Sequence, residues 1–330
     1  MNRPLIAVTS GDPAGIGPEI IIKALSQQSI HTDSRVAVIG DSRIFAKTIQ
    51  ESNSPLSINC ITDPSQGIYS YGTLNLIDMP NVNMDTFMSG KVDAMCGRAA
   101  YEYIEASIKL AMDKKVNAVA TAPIHKEALR AAGVPYIGHT EIFGALTGTA
   151  DPLTMFQVGA LRIFFLTRHV SLRQACSMVT KERIIDYVKR CSAMLSSLKL
   201  TTGTMAIAGL NPHCGDGGLF GQEEIEEIQP AVKYLQQQGI AVEGPVSADS
   251  VFHLAHQGRY SSVLSLYHDQ GHIAAKTLDF ERTIAVTGGM PILRTSVDHG
   301  TAMDIAGKNL ASGVSMEEAI RIAAGYVQSL

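Results

Sequence analysis

The sequence lacks the features that mark membrane proteins, secreted disulfide-rich proteins and many secreted precursors. No segment approaches the roughly 20 apolar residues that a membrane helix requires. The apolar run near the N-terminus, residues 5–8, is too short for a signal peptide. The five cysteines are odd in number and widely spaced, which suits reduced thiols better than disulfides or a thiolate zinc site. These absences predict a cytoplasmic protein without a membrane partner.

The chain also has no excess of basic residues. Its 27 Lys and Arg against 31 Asp and Glu give a formal net charge of -4, which argues against a nucleic-acid partner. Hydrophobic residues make up 45% and charged residues 18% of the 330 positions, enough apolar material for a large interior. A chain of this length predicts about two domains.

Short apolar runs rich in β-branched residues alternate with helical stretches. These runs predict buried strands at Leu5–Thr9, Arg35–Gly40, Asn117–Thr121, Leu161–Thr167, Met205–Leu210, Ser262–Leu266 and Thr283–Val286. Apolar residues at helical spacing over residues 95–112 and 223–238 predict two amphipathic helices. The alternation predicts an α/β fold with a largely parallel sheet, but the composition marks no domain boundary.

A glycine-rich segment, residues 9–19, follows the first predicted strand and reads Thr-Ser-Gly-Asp-Pro-Ala-Gly-Ile-Gly-Pro-Glu. Its glycines do not have the spacing of the three-glycine dinucleotide motif. We interpret the segment as a tight strand-to-helix turn, with Pro18 opening the helix. The sequence therefore does not predict a Rossmann domain.

A second segment rich in small residues, residues 299–308, reads His-Gly-Thr-Ala-Met-Asp-Ile-Ala-Gly-Lys. Glycine lets a backbone approach a ligand closely, and a carboxylate near the adenosine ribose favours NAD over NADP. A few residues of this kind would be explained by a tight turn that enters a helix of small residues. The ten residues in this order resemble the adenosine-binding loop of the isocitrate and isopropylmalate dehydrogenase superfamily. That likeness implies cofactor contacts at His299, Gly300, Ala302 and Asp304.

Three histidines, His169, His213 and His268, each follow the carboxyl end of a predicted strand. Open α/β sheets bind ligands at this edge, and imidazole suits zinc, cobalt or nickel. Three protein ligands would leave one coordination position open for a substrate. A single histidine is more often a structural residue, so the positions alone leave both interpretations open.

Donor and cationic side chains suited to an anionic substrate lie elsewhere in the chain. His139 and Thr140 follow Gly138 at a predicted helix start, where side-chain donors and the helix N-terminus favour an anion. Lys276 and Arg294 supply positive charge, and an arginine can bind an anion through two parallel hydrogen bonds. As isolated residues, this lysine and arginine would more often be solvated surface charges.

Five segments in register carry a resemblance to a known family. They are residues 9–19, Gly138-His139-Thr140-Glu141, Asn211-Pro212-His213-Cys214-Gly215, Tyr267-His268-Asp269-Gln270-Gly271 and the run from Pro291 to Ala302. Together they resemble the 4-hydroxythreonine-4-phosphate dehydrogenase family of vitamin B6 synthesis, and most of all its sister branch, the 4-phospho-D-threonate 3-dehydrogenases. The likeness covers almost the whole chain.

The resemblance implies an isocitrate/isopropylmalate dehydrogenase-like α/β fold, two-lobed and three-layered, with largely parallel sheets. One discontinuous lobe, residues 1–135 plus 280–330, would bind the dinucleotide. The other lobe, residues 136–279, would carry the metal and substrate site and the dimer contact. A homodimer is implied in which His268 of one subunit shares a metal with His169 and His213 of the other.

The same resemblance assigns roles to the candidate residues. It places the three histidines in a metal site, and His139, Thr140, Lys276 and Arg294 in the substrate pocket. The implied cofactors are NAD and a divalent cation: zinc, magnesium, manganese or cobalt.

Three further residues are second-rank catalytic candidates: Asp249, Asp269 and Lys126. Asp269 follows His268 directly, and a carboxylate in that position can orient a ligand imidazole. The alternative for Asp269 is a helix N-cap.

These expectations combine into NAD- and metal-dependent oxidation at C3, with decarboxylation, of a 4-phosphorylated four-carbon hydroxy acid. One position departs from the family: Ala285 stands where the vitamin B6 enzymes usually carry an asparagine. Losing that donor and acceptor changes which substituents the pocket satisfies. The departure favours 4-phospho-D-threonate, which would give dihydroxyacetone phosphate and CO₂, over 4-phosphohydroxythreonine, although the sequence does not decide the C2 substituent.

Two alternatives come from other functional classes. A metal-dependent phosphate-ester hydrolase would use the three histidines but would leave the segment around Asp304 unexplained. A non-catalytic nucleotide-binding protein would have no use for an intact set of three histidines.

Overall fold

The computed structural model describes residues 3–200 and 203–329, and the chain divides into two compact units. Unit 1 comprises Met1–Pro152 and Ile284–Leu330, and unit 2 comprises Leu153–Thr283. The first segment of unit 1 contains β1 (Leu5–Thr9), α1 (Gly17–Leu25), α2 (Gln28–Asp33), β2 (Arg35–Gly40), α3 (Ser42–Ser52), β3 (Ser57–Ile61), β4 (Thr73–Asp78), α4 (Ala94–Met112), β5 (Ala118–Thr121), α5 (Lys126–Ala131) and α6 (His139–Thr147).

Unit 2 and the C-terminal segment of unit 1 complete the chain. Unit 2 contains β6 (Leu153–Val158), β7 (Leu161–Phe165), α7 (Leu172–Ser177), α8 (Lys181–Ser197), β8 (Met205–Ala208), a π-helical turn (Glu224–Ile228), α9 (Gln229–Gln237), β9 (Val242–Val246), α10 (Ala248–His256), β10 (Ser262–Ser265) and α11 (His268–Leu278). The C-terminal segment contains β11 (Ile284–Gly288), β12 (Arg294–Val297) and α12 (Val314–Ser329).

The sheet of unit 1 has the strand order β3-β4-β2-β1-β5-β12-β11. Neighbouring strands are parallel except β11 and β12. On one face, Leu5 and Ala7 of β1 share a core with Tyr103 of α4, while the alternate residue Ile6 is also fully buried. On the other face, the Thr295 hydroxyl donates to a carbonyl of α12. Both faces are therefore covered, as near-continuous apolar parallel strands require.

The sheet of unit 2 has the order β6-β7-β10-β8-β9, parallel except for β6 and β7. The predicted α/β fold with largely parallel sheets is confirmed. Among the described residues, no helix combines the length and apolarity needed to cross a bilayer.

The division into units differs from the predicted lobes at one point. The first boundary follows Pro152 rather than residue 135, so α6 belongs to unit 1. The reason is packing: Ile142 and Phe143 of α6 lie in the same hydrophobic core as β1 and α4. The second boundary, at Thr283, lies near the predicted one at residue 279.

The glycine-rich segment after β1 forms the predicted strand-to-helix turn. Gly11 has a φ of +69°, and a Cβ there would lie 2.3 Å from the Pro123 carbonyl oxygen. A Cβ at Gly17 would lie 2.0 Å from the Ser10 carbonyl oxygen. Pro18 stands in the first turn of α1. These glycines therefore serve backbone packing at the carboxyl end of β1.

Candidate active site

The three candidate metal ligands follow three neighbouring strands of unit 2. β7, β10 and β8 are adjacent and parallel, so their carboxyl ends lie at one edge of the sheet. His169 follows β7, His213 follows β8, and His268 is the first residue of α11, which follows β10. Two of them come together: the ring centroids of His169 and His268 lie 5.9 Å apart.

These two imidazoles line a cleft of about 270 Å³ within unit 2. Arg168, Tyr267 and Asp269 also line it. His213 is not among the lining residues, and the described part of the chain holds no group of three His, Cys, Asp or Glu arranged to hold a metal ion. Within one chain, the ring contact seen between candidate ligands is that of His169 with His268.

His268 is oriented by its neighbours. Its Nδ1 lies 2.6 Å from Oδ1 of Asp269, which leaves Nε2 as the nitrogen for a ligand. The N-cap position of α11 belongs to Tyr267, so Asp269 contacts the imidazole and is not the cap residue. His272 stacks on His268 with centroids 3.7 Å apart and an interplanar angle of 13°.

The segment that carries His213 has a strained backbone. His213 and Cys214 have φ values of 52° and 55°, in the left-handed region that costs non-glycine residues roughly 1–3 kcal/mol each. Buried Glu224 holds the start of this segment by accepting the backbone N–H of Leu210 at 2.8 Å and of Asn211 at 2.7 Å.

Asp249 and Gln270 adjoin the same edge of unit 2. Burial raises the pKa of the Cys214 thiol, and the carboxylates of Glu224 and Asp249 raise it further; the exposed Asp249 therefore lies near the His213 segment. Gln270 accepts the Leu266 N–H at 2.7 Å and donates to the Gly209 carbonyl at 2.8 Å. It links the ends of β10 and β8.

Unit 1 contains a buried cation, Arg294, and not the solvated surface charge that was the alternative for this residue. Arg294, only 4% exposed, donates through Nε and Nη2 to Oγ1 of Thr121 and through Nη1 to Oγ1 of Thr287. Its guanidinium lies 5.2 Å from the centre of the Phe143 ring. Burial lowers the pKa of Arg294 to about 9, so the side chain keeps its charge at neutral pH.

His139 adjoins this guanidinium. It opens α6 after Gly138, as the sequence predicted, and Thr140 is the next residue. Burial, aided by the charge of Arg294, holds the pKa of His139 well below its usual range. Its Nε2 is enclosed and has no hydrogen-bond partner among the described residues. A neutral imidazole beside a buried cation can donate to an anion.

Ala285 lies on the face of β11 that contacts this cation. Residues two apart on a strand share a face, and Thr287 contacts Arg294. Ala285 is paired with Ser296 across the β11–β12 ladder. Ala285 therefore lies on the same strand face as the Thr287 side chain that binds the Arg294 guanidinium.

The predicted cofactor residues lie on an irregular loop of unit 1. Ala302 has a φ of 43°, and a Cβ at Gly300 would meet no protein atom within 4 Å. Nδ1 of His299 lies 3.0 Å from the Gly300 carbonyl, and Asp304 is exposed. The loop thus presents an open backbone and a solvent-facing carboxylate.

Helix α1 holds the end of this loop with two opposite charges. Glu19, 4% exposed, accepts the backbone N–H of Gly307. One turn later, Nζ of Lys23 donates to the carbonyls of Asn309 at 2.9 Å and Ala311 at 2.6 Å. We call this pair the α1 clasp.

Two further candidates are lysines, one in each unit. Lys126 is exposed at the start of α5. Lys276 lies on α11 with its Nζ 5.2 Å from the centre of the Phe280 ring. Spacings of four residues place Lys276 on the same face of α11 as His268 and His272.

Several residues at these sites were not predicted from the sequence. Asp12 is fully buried, with Oδ1 accepting the Ala14 N–H at 2.9 Å and Oδ2 lacking a partner among the described residues. Arg168 and Gln270 adjoin candidate ligands. Asp12 and Gln270 lie inside two of the sequence motifs named above, so their position in the sequence could have marked them as candidates. Thr121, which binds Arg294, lies in no such motif.

Comparisons with known proteins identify the family of this chain. The model of the family described as pyridoxal phosphate biosynthetic protein PdxA matches residues 32–323. A relative from Symbiobacterium thermophilum, named "Putative D-threonate 4-phosphate dehydrogenase", is 57% identical over 98% of this chain and 97% of its own. Relatives of the same name from Clostridium botulinum are 56% identical over the same shares.

Solved structures agree as well. The crystal structure of 4-hydroxythreonine-4-phosphate dehydrogenase from Klebsiella pneumoniae has a TM-score of 0.91 and 39% identity, over 99% of this chain and 98% of that one. The corresponding enzyme from Burkholderia phymatum has a TM-score of 0.87 and 38% identity, over 99% of each chain. The chain therefore belongs to the PdxA family, and it is an oxidoreductase that acts on a CH–OH group.

Proposed function

We propose that the protein oxidises 4-phospho-D-threonate at C3, with NAD as oxidant and a divalent cation as cofactor, and releases dihydroxyacetone phosphate and CO₂. Its relatives at 56–57% identity carry the name "Putative D-threonate 4-phosphate dehydrogenase". The product follows from chemistry: oxidation at C3 gives a β-keto acid, which loses CO₂ because the neighbouring carbonyl stabilises the resulting enolate.

The observation that carries the proposal is the buried guanidinium of Arg294. Its hydrogen-bond partners, Thr121 and Thr287, are neutral hydroxyls. A buried charge is costly without a counter-charge, and the nearest contribution from a carboxylate comes from exposed Glu141. A phosphate supplies the missing negative charge and accepts parallel N–H bonds. His139 and Thr140 add donors at the start of α6.

The donor set of unit 2 fits a divalent cation. His169, His213 and His268 would hold it, because neutral imidazoles are good ligands for zinc and cobalt, and Asp269 fixes the tautomer of His268. When bound, the cation supplies Lewis acidity that lowers the pKa of the substrate hydroxyl, and NAD supplies the hydride acceptor. Asp269 and Lys276 are the proposed protein groups for positioning and proton transfer at this edge.

The loop of unit 1 would hold the dinucleotide. Asp304 would accept hydrogen bonds from the ribose hydroxyls and repel a 2′-phosphate, which favours NAD over NADP. His299, Gly300 and Ala302 would line the adenosine. Unit 1 is thus the proposed dinucleotide-binding lobe, and unit 2 the proposed metal and dimerisation lobe.

We also propose that the metal site is completed by a second chain. Within one chain the three histidines do not converge among the described residues, so a homodimer would supply the remaining ligand. Large apolar side chains of unit 2 are exposed, as an interface requires: Leu172, Leu219, Phe220, Ile273 and Phe280. The resemblance implies that the partner supplies His268. The contact between His169 and His268 within one chain supports the alternative that the partner supplies His213.

A second candidate, 4-hydroxythreonine-4-phosphate dehydrogenase of pyridoxal phosphate synthesis, is favoured by the family description and by the Klebsiella structure. Its substrate differs at C2, with an amine in place of a hydroxyl. Ala285 beside the anion pocket favours the threonate.

A substrate panel tests the proposal. The protein with Zn²⁺, Co²⁺ or Mg²⁺ and NAD is incubated separately with 4-phospho-D-threonate, 4-phosphohydroxythreonine and D-threonate, and NADH absorbance is followed. We expect the fastest NADH formation with 4-phospho-D-threonate and little with the unphosphorylated acid. Faster oxidation of the amino acid would establish the second candidate, and phosphate release without NADH would establish a hydrolase.

A further inference from the structure

The cleft of unit 2 contains a cation, Arg168, to which the proposed function assigns no role. Arg168 precedes His169 and lines the same cleft as His169 and His268. Its Nη1 donates to Oγ1 of Thr154 on β6 at 2.7 Å, so a neutral hydroxyl fixes the guanidinium in place.

The charge of Arg168 is not offset by a carboxylate. None of the ion pairs among residues 3–200 and 203–329 involves it. Asp269 is the acidic residue among the described lining residues, and its Oδ1 contacts Nδ1 of His268. The cleft therefore presents a fixed guanidinium beside the proposed metal ligands, with no carboxylate of the described residues in contact with it.

We propose that Arg168 determines specificity at C2 of the substrate by excluding an ammonium group and admitting a hydroxyl. The inference rests on the proposed function, which brings the reacting C3 alcohol to His169 and His268. C2 is bonded to C3, so its substituent enters the same cleft. There, the fixed guanidinium would repel an ammonium, whereas a hydroxyl carries no charge and can accept an N–H bond.

The experiment compares kcat/KM for 4-phospho-D-threonate and 4-phosphohydroxythreonine in the metal-loaded enzyme with NAD. Arg168→Met removes the charge and keeps the length of the side chain. Arg168→Lys keeps the charge but loses the planar hydrogen-bonding geometry. Arg173→Met, a change at an exposed arginine of α7 outside the cleft, is the matched control.

Arg168→Met should reduce the preference for the threonate by about ten- to hundredfold, the range expected for one like-charge contact in a partly desolvated site. Arg168→Lys should retain most of the preference, and Arg173→Met all of it. A structural defect alone would lower both activities together and leave their ratio unchanged. An unchanged ratio in folded Arg168→Met would overturn the inference while leaving the proposed function intact.

Failure of the proposed function would look different. If the unmutated enzyme oxidises neither acid, the proposed function is wrong, and calorimetric titration of each acid into the metal-loaded protein then decides the inference. Tighter binding of the threonate that Arg168→Met abolishes supports it. Equal affinities for the two acids, or no binding of either, overturn it.

Discussion

Burial shifts the pKa values of two ionisable residues of unit 1 in opposite directions. Arg294 keeps its charge because its pKa falls only to about 9, so the protein carries an internal cation. Burial raises the pKa of Asp12 from 3.8 to about 6, with a further contribution from the Asp93 carboxylate. Above about pH 6, Asp12 therefore carries a negative charge in a buried environment that does not stabilise it.

The raised pKa of Asp12 predicts that the stability of the protein depends on pH. The pKa of Asp12 is higher in the folded than in the unfolded state, so its stabilising effect is complete below about pH 4 and is lost as the pH rises through 6. Between pH 4.5 and 7.5 we expect this group to lower the free energy of unfolding by about 2 kcal/mol. Asp12→Asn should remove that part of the slope in urea unfolding. The exposed Asp85→Asn should leave it unchanged, and an unaltered slope in Asp12→Asn would contradict the prediction.

Arg294 makes a second prediction at the level of one side chain. Arg294→Lys keeps a positive charge but cannot donate to Thr121, Thr287 and a phosphate at once. Losing a charge-assisted bond of roughly 1.5–3 kcal/mol should raise the KM for the phosphorylated substrate about ten- to hundredfold, with little change in the KM for NAD. The exposed Arg130→Lys on α5 is the control. Equal increases in both KM values would mean that Arg294 supports the fold and does not bind phosphate.

At the level of elements, the α1 clasp fixes the end of the proposed cofactor loop. Glu19→Ala leaves the Gly307 N–H without its acceptor, and Lys23→Met releases the carbonyls of Asn309 and Ala311. Each change should raise the KM for NAD by about tenfold, the value of one bond to a charged group. The KM for the phosphorylated acid should stay within a factor of about two, because the anion pocket is formed by other elements.

The exposed Lys109→Met on α4 is the control for the clasp. An unchanged KM for NAD in both clasp variants, with the folded protein verified by circular dichroism, would show that the loop does not contact the cofactor.

The elements also show what the sequence could predict. Strands with apolar runs, such as Leu161–Phe165 and Ser262–Ser265, were predicted to within about two residues. β12 was not, because Arg-Thr-Ser-Val has no apolar run. It is nevertheless buried, since the sheet ladder and side-chain bonds such as that from Thr295 to α12 satisfy its polar groups. β9 was not predicted either, because it contains a glycine and a proline, both of which are unfavourable in strands.

The positions of the histidines of unit 2 could be predicted from the ends of the strands, because the carboxyl ends of parallel strands lie at the same edge of a sheet. The sequence could not predict that Arg294 would be buried, since that depends on β12 pairing with β5 and on hydroxyls distant in the chain. Nor could it predict the ring contact between His169 and His268, because loop geometry after a strand is not encoded in hydrophobic periodicity.

At the level of the whole molecule, the proposed metal site needs two chains. His213→Ala and His268→Ala, each inactive alone, should regain activity when unfolded together and refolded as a mixture. A mixed dimer then has one intact site, so recovery should approach about a quarter of the unmutated activity.

The other two mixtures assign the ligands to the chains. With His268 as the partner's ligand, His169→Ala with His268→Ala should also recover; with His213 in that role, His169→Ala with His213→Ala should recover instead. No recovery in any mixture, with mixed dimers confirmed by mass spectrometry, would place the site within one chain.

The central claim, that this protein oxidises and decarboxylates 4-phospho-D-threonate, is tested most directly by product stoichiometry in one reaction. The metal-loaded protein is given excess NAD and a limiting amount of the acid, and NADH, dihydroxyacetone phosphate and CO₂ are quantified at completion. The account predicts equal amounts of all three, and none from a chelator-treated sample until the cation is restored. NADH without CO₂, or full activity without a divalent cation, would contradict it.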